Sequence, residues 1–241
     1  PDLLLLNQGT NRLMRNQGDG TFEDITSASG IDGSARSSGA SWADLDGDGL
    51  LDLFVANILE DFVFEPGGRV YFYAQRSQLY RNLGNGRFLD VSGLVGSAGL
   101  PEGASYIGVL QDFNGDHRPD LMLTQEFGEE VLRNQLYQNM GALAGDSWIT
   151  LENVTDGAGI ADPRAAMGAA LFDFNTDGLP EIYLTNLQVE GGEVMLSNRG
   201  DMTFDNTTTT YGVDGTALDF DNAFYRTVSW AALALDYDND G

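Results

Sequence analysis

Residues 41–57 read SWADLDGDGLLDLFVAN, an acidic, glycine-punctuated loop running straight into an apolar stretch. The pattern returns three times. Residues 109–125 read VLQDFNGDHRPDLMLTQ, residues 170–186 read ALFDFNTDGLPEIYLTN, and residues 233–241 read LALDYDNDG. The first aspartates are Asp44, Asp112, Asp173 and Asp236, so the period is roughly 60 to 70 residues, longer than that of short solenoid repeats. A second motif alternates with the first. It is LMRNQGDGTFEDIT at 13–26 and LYRNLGNGRFLDVS at 79–92, with divergent copies LYQNMGALAGDSWITLENVT from Leu136 and MLSNRGDMTFDNTT from Met195.

Each copy of the second motif is a β-like stretch, a Gly/Asn/Asp turn and an aromatic-bearing stretch, which reads as a hairpin. Each repeat therefore holds two hairpins, or about four short strands. Alternation in Asp52-Leu53-Phe54-Val55 is only partial, as expected of strands covered on both faces. No window carries a helical stripe over three turns. Four-stranded units at this spacing predict an all-β chain folded as a β-propeller of about four blades; a β-sandwich would not predict so regular a repeat. Repeat boundaries are expected at 1–51, 52–119, 120–180 and 181–241. The last residues, 236–241, match the start of the acidic motif, and Pro1-Asp2-Leu3 matches its end (compare Pro119-Asp120-Leu121). Joined, the two fall one residue short of a full copy, so the sequence is expected to be a stretch of a longer chain.

In DLDGDGLLD the carboxylates fall at positions 1, 3, 5 and 9: Asp44, Asp46, Asp48 and Asp52. The second copy offers Asp112, Asn114, Asp116 and Asp120, and the third Asp173, Asn175, Asp177 and Glu181. A calcium ion takes six to eight hard oxygens, and a short loop gathers them by alternating ligand and spacer. The backbone carbonyl at position 7, from Leu50, Arg118 or Leu179, completes each set. The fourth copy supplies Asp236, Asp238 and Asp240. An EF-hand begins alike but needs a bidentate Glu at position 12; Val55, Leu123 and Leu184 stand there instead. Simple acidic turns are the plainer alternative, since Asp, Asn and Gly favour turns unaided. Repeated clusters of unpaired carboxylates would repel, and this favours calcium. His117, the only histidine, takes position 6 where other copies have Gly, and reads as a solvated spacer in a strained loop.

With 37 acidic residues against 12 arginines and no lysine, the net charge is -25. Such a polyanion repels nucleic acid and anionic lipid. Solubility, or adaptation to a salty medium, is one reading of this acidity; bound cations are the other, and the loops account for about a third of the 37 acidic residues. The absence of cysteine removes disulfides, thiolate metal sites and cysteine nucleophiles. No apolar run is long enough to insert in a membrane, and no signal-peptide pattern opens the chain.

The alternating motifs resemble the FG-GAP/VCBS repeats: the acidic loops look like the calcium loops of the integrin α-subunit propeller. The pairing with LYRNLGNGRFLDVS is closer to the repeats of cartilage acidic protein relatives and bacterial ASPIC/UnbV proteins. The resemblance spans nearly the whole chain and implies secreted or cell-surface propellers (extracellular or periplasmic), about seven-bladed, with structural calcium. The chain is then expected to bind a protein or a glycan in adhesion. Aromatic-rich connections at 58–76 (Phe62, Phe64, Tyr71, Phe72, Tyr73) and 214–230 (Phe220, Phe224, Tyr225, Trp230) suit such contacts, or else packing between blades. A calcium-dependent carbohydrate-active enzyme or lectin is the alternative. No nucleophile elbow, phosphate loop or histidine cluster marks catalysis, and no catalytic residue is expected.

Overall fold

The structure is a computed structural model and describes residues 1–31, 33–65, 70–95, 99–126, 131–143, 148–162, 165–187, 192–213 and 232. The fold is nearly all-β. Strands β1 (Leu3–Leu5), β2 (Arg12–Asn16) and β3 (Phe22–Asp24) form a three-stranded antiparallel meander, closed by the one-turn helix α1 (Thr26–Ser29). The second sheet begins with β4 (Ser37–Ala43) and β5 (Asp52–Asn57). Its connection carries a hairpin, β6 (Asp61–Phe64) and β7 (Val70–Tyr73), and the short β8 (Gln75–Arg76). It ends with β9 (Gln78–Asn82) and β10 (Phe88–Asp90), giving the order β10-β9-β5-β4. A short β11 (Glu102–Gly103) pairs with β8. The third sheet is β12 (Ser105–Gln111), β13 (Asp120–Gln125), β14 (Gln135–Asn139) and β15 (Leu151–Asn153), followed by α2 (Thr155–Ala158). The fourth is β16 (Ala165–Phe172), β17 (Glu181–Leu187), β18 (Val194–Asn198) and β19 (Phe204–Asn206), followed by α3 (Thr208–Tyr211).

These are propeller blades. β12 lies beside both β4 and β16, so the first strands of consecutive sheets stand side by side. The second strands are buried on both faces: Leu53 and Val55 of β5 pack toward the first sheet, Phe54 and Ala56 toward the third. That is why a β-period in DLFVAN is masked. Gly108 on β12 is required by this packing. A Cβ there would sit 2.0 Å from the Phe54 ring of the preceding sheet.

Each sheet is offset from the sequence repeat by one strand. Boundaries at 51/52, 119/120 and 180/181 separate β4 from β5, β12 from β13 and β16 from β17, pairs that are hydrogen-bonded hairpins. A repeat thus supplies three strands to one sheet and the first strand of the next. The reason is physical: the acidic loop is the turn of a hairpin, and a hairpin stays in one sheet.

Candidate metal centre

The first acidic loop joins β4 to β5 and is tied by its own first residue. Asp44 Oδ1 accepts the N–H groups of Gly47 (2.9 Å) and Asp48 (3.1 Å), and Oδ2 accepts that of Gly49 (2.9 Å). The second loop repeats this with Asp112, which accepts from Gly115 (2.8 Å) and His117 (2.8 Å). The third does so with Asp173, which accepts from Asp177 (3.1 Å) and Gly178 (2.8 Å). Positions 4 and 6 are left-handed in each of the three described loops: Gly47 and Gly49, Gly115 and His117 (φ 65°), Thr176 (φ 60°) and Gly178. The second and third loops each hold one side-chain-bearing residue where glycine is favoured. His117 is 97% exposed, as a solvated spacer is.

In the first loop, Asp44, Asp46 and Asp48 each bring a carboxylate oxygen within 4.8 Å of the others. Three hard, anionic oxygens so close suit a hard divalent cation, and the donor set fits calcium. Leu50 stands exposed at position 7. In the second and third loops the asparagine is drawn to its neighbours: Asn114 Nδ2 donates to Asp116 Oδ2 (3.0 Å), and Asn175 Nδ2 to Asp177 Oδ2 (2.9 Å) and Glu181 Oε1 (3.3 Å). Arg118 pairs with Asp116 at 2.6 Å. Leu179 stands half-buried at position 7.

The ninth-position acids behave differently. Asp52, Asp120 and Glu181 are 1%, 0% and 0% exposed. Asp52 accepts the N–H of Leu45 (3.0 Å) with one oxygen and that of Asn82 (2.8 Å) with the other. Asp120 does the same with Phe113 and Asn139, and Glu181 accepts from Phe174. Each clamps the start of the loop to its sheet. Burial, reinforced by the loop carboxylates, raises the carboxyls of Asp52 and Asp120 to about 6.

Two further sets of residues escaped the sequence reading. Asn16, Asn82, Asn139 and Asn198 each accept an N–H from the glycine two residues on; Asn16 donates Nδ2 to the Pro1 carbonyl, and the other three donate to the carbonyl just before the ninth-position acid. Thr26, Ser92, Thr155 and Thr208 each accept the N–H of the second residue of a strand, from Leu13 of β2, Leu79 of β9, Leu136 of β14 and Met195 of β18. The Asn-x-Gly and Asp/Asn-x-Ser/Thr spacings in the second motif were the available signal. Asp236, Asp238 and Asp240, with the aromatic stretch at 214–230, lie outside the described residues.

In the connection at 58–76, Phe64 (69% exposed), Tyr73 (53%) and Tyr71 (41%) lie at the surface of the β6–β7 hairpin. No helix among the described residues is long and apolar enough to cross a membrane.

Residues 1–55 match the family model of the FG-GAP-like repeat, a stretch that reaches from β1 through the first acidic loop into β5. Over 179 residues, 74% of this chain, the sequence is 26% identical to cartilage acidic protein 1 of Homo sapiens. The chain corresponds to 24% of that protein's length. Both findings agree with the resemblance read from the paired motifs.

Proposed function

We propose that this chain is a calcium-stabilised, extracellular interaction module whose sheets present surface to a protein or glycan partner and perform no catalysis. The observation that carries the reading is the gathering of Asp44, Asp46 and Asp48 at the tip of a loop whose hydrogen bonding recurs in two further blades. A cation at each tip offsets repulsion that folding itself creates, so its binding energy adds to the stability of the fold. Loops of this kind fill readily where free calcium is abundant, outside the cell. His117, held left-handed where the first loop has glycine, makes the second loop bind more weakly than the first.

The β6–β7 hairpin is the contact surface. Val63 pairs across the strands with Tyr71, and Asp61 with Tyr73, giving a face of aromatic rings beside a carboxylate. Calcium titration of chelator-stripped protein in a magnesium background, by calorimetry with thermal unfolding alongside, tests the metal reading. Uptake of about three ions with a melting temperature that climbs steeply supports it; no uptake and unchanged stability overturn it. A glycan array then separates sugar from protein partners, because a lectin retains individual glycans and a protein-binding scaffold does not.

A further inference from the structure

The environment of Asp46 sets the first loop apart from the other two. Trp148 comes from the connection between β14 and β15, in the sheet after the one that carries the loop. Its ring is 5% exposed and packs in the cluster that also holds Leu45, Phe54 and Leu79 of the preceding sheet. Its indole Nε1–H donates to Asp46 Oδ2 at 2.7 Å, across 102 residues of sequence. Arg81, at the end of β9, places Nη2 2.7 Å from the same oxygen and 3.9 Å from Asp48 Oδ2. Both outside donors therefore use one oxygen. The other, Oδ1, is turned into the loop, where it accepts the Asp48 N–H at 3.2 Å. The three loop aspartates, Arg81 and Trp148 line one cleft between the two sheets, with Arg118 of the second loop on its wall.

We propose that Trp148 and Arg81 are positioning residues that make the first acidic loop a joint between consecutive sheets. They hold Asp46 so that Oδ1, the oxygen turned into the loop, meets a cation, and the cation in turn strengthens the contact of the Trp148 sheet with its neighbour. This rests on the calcium reading above. An outer donor that fixes a ligating carboxylate spares the ion the cost of ordering it, and losing such a donor typically weakens metal binding about 10–100-fold. Coupling of this kind is reciprocal: what the sheet contact does for the ion, the ion does for the contact. The arrangement is specific to one loop. Among the described residues, the Asn114 and Asn175 side chains at the corresponding position donate only within their own loops.

The test is calcium calorimetry on the full chain and on Trp148→Phe, with the Trp148 indole N–H resonance followed in the unmutated chain. That resonance is identified as the indole signal displaced in Asp46→Asn. The expected result is one site weakened about tenfold in Trp148→Phe, the remaining sites unchanged, a smaller calcium-induced rise in melting temperature, and an indole signal that moves on calcium saturation. Equal affinities at every site in both proteins overturn the joint and leave the calcium reading intact. A parent chain that takes up no calcium overturns both. Should Trp148→Phe fail to fold, the resonance decides: an indole signal that stays put while the chain fills with calcium overturns the proposal.

Discussion

The second and third acidic loops both begin Asp-Phe-Asn, yet their phenylalanines meet opposite fates. Phe113 is 0% exposed and meets Phe204 of the next sheet edge-on, ring centroids 5.8 Å apart. Among the described residues, Phe174 is 49% exposed and meets the rings of Phe172 of β16 and Tyr211 of α3, at 6.1 and 4.7 Å. Behind Phe113, Asn198 of the fourth sheet donates to the Phe113 carbonyl at 2.8 Å; Asn139 of the third does the same for Leu45 of the first loop at 2.9 Å. The second loop position is thus a plug that the following sheet receives. Phe113 owes its burial to the neighbouring sheet and not to the loop sequence that it shares with Phe174.

The sharpest way to break this comparison is to truncate both rings. Phe113→Ala should cost about 3–5 kcal/mol, the usual range for emptying a packed aromatic site. Phe174→Ala, which loses only half-exposed ring contacts, should cost about 0.5–1.5 kcal/mol. Denaturant unfolding of the two variants checks it, and similar losses would remove the plug. Next in size is the clamp. Asp120→Ala orphans the buried N–H groups of Phe113 and Asn139, at about 1–3 kcal/mol for each unsatisfied donor. The same measurement reads it, and a loss below about 1 kcal/mol would mean that the loop closes without its ninth residue.

A smaller effect appears in pH. Burial holds Asp52 and Asp120 at about 6 in the fold, against an ordinary 3.8. A carboxyl raised in this way binds its proton more tightly folded than unfolded, so its contribution is complete below 3.8 and is lost as pH climbs through about 6. The chelated chain should therefore melt higher at pH 5 than at pH 7. Calcium favours the ionised loops and should flatten or reverse that trend. Melting curves with and without chelator at the two pH values decide this, and a chelated chain more stable at pH 7 contradicts it. Smallest of all, His117→Gly and Thr176→Gly relieve left-handed backbone at φ 65° and 60°. Each should gain about 1 kcal/mol in the chelated chain, read as a rise in melting temperature. A loss at either would show that the side chain supports its loop.

Much of this architecture was legible in the chain. The repeat, its two hairpins per unit and the partial alternation of DLFVAN announced four-stranded sheets covered on both faces. The spacing of Asp44, Asp46 and Asp48 announced a loop whose carboxylates converge, since alternate residues of a tight turn point to one side. Spacing marks the ninth acid as one more ligand but cannot report which backbone donors also reach it. Only the sheet shows that Leu45 and Asn82 take both oxygens of Asp52.

The sequence by itself determined where the strands and loops fall and which residues carry negative charge, because those follow from local pattern and turn chemistry. The tertiary structure alone decided which phenylalanine is buried, which acid is a clamp, and which loop is wired to its neighbour. Those outcomes depend on partners as far away in sequence as Asn139 is from Leu45 and Trp148 from Asp46. A contact of that kind exists only once the sheets have packed.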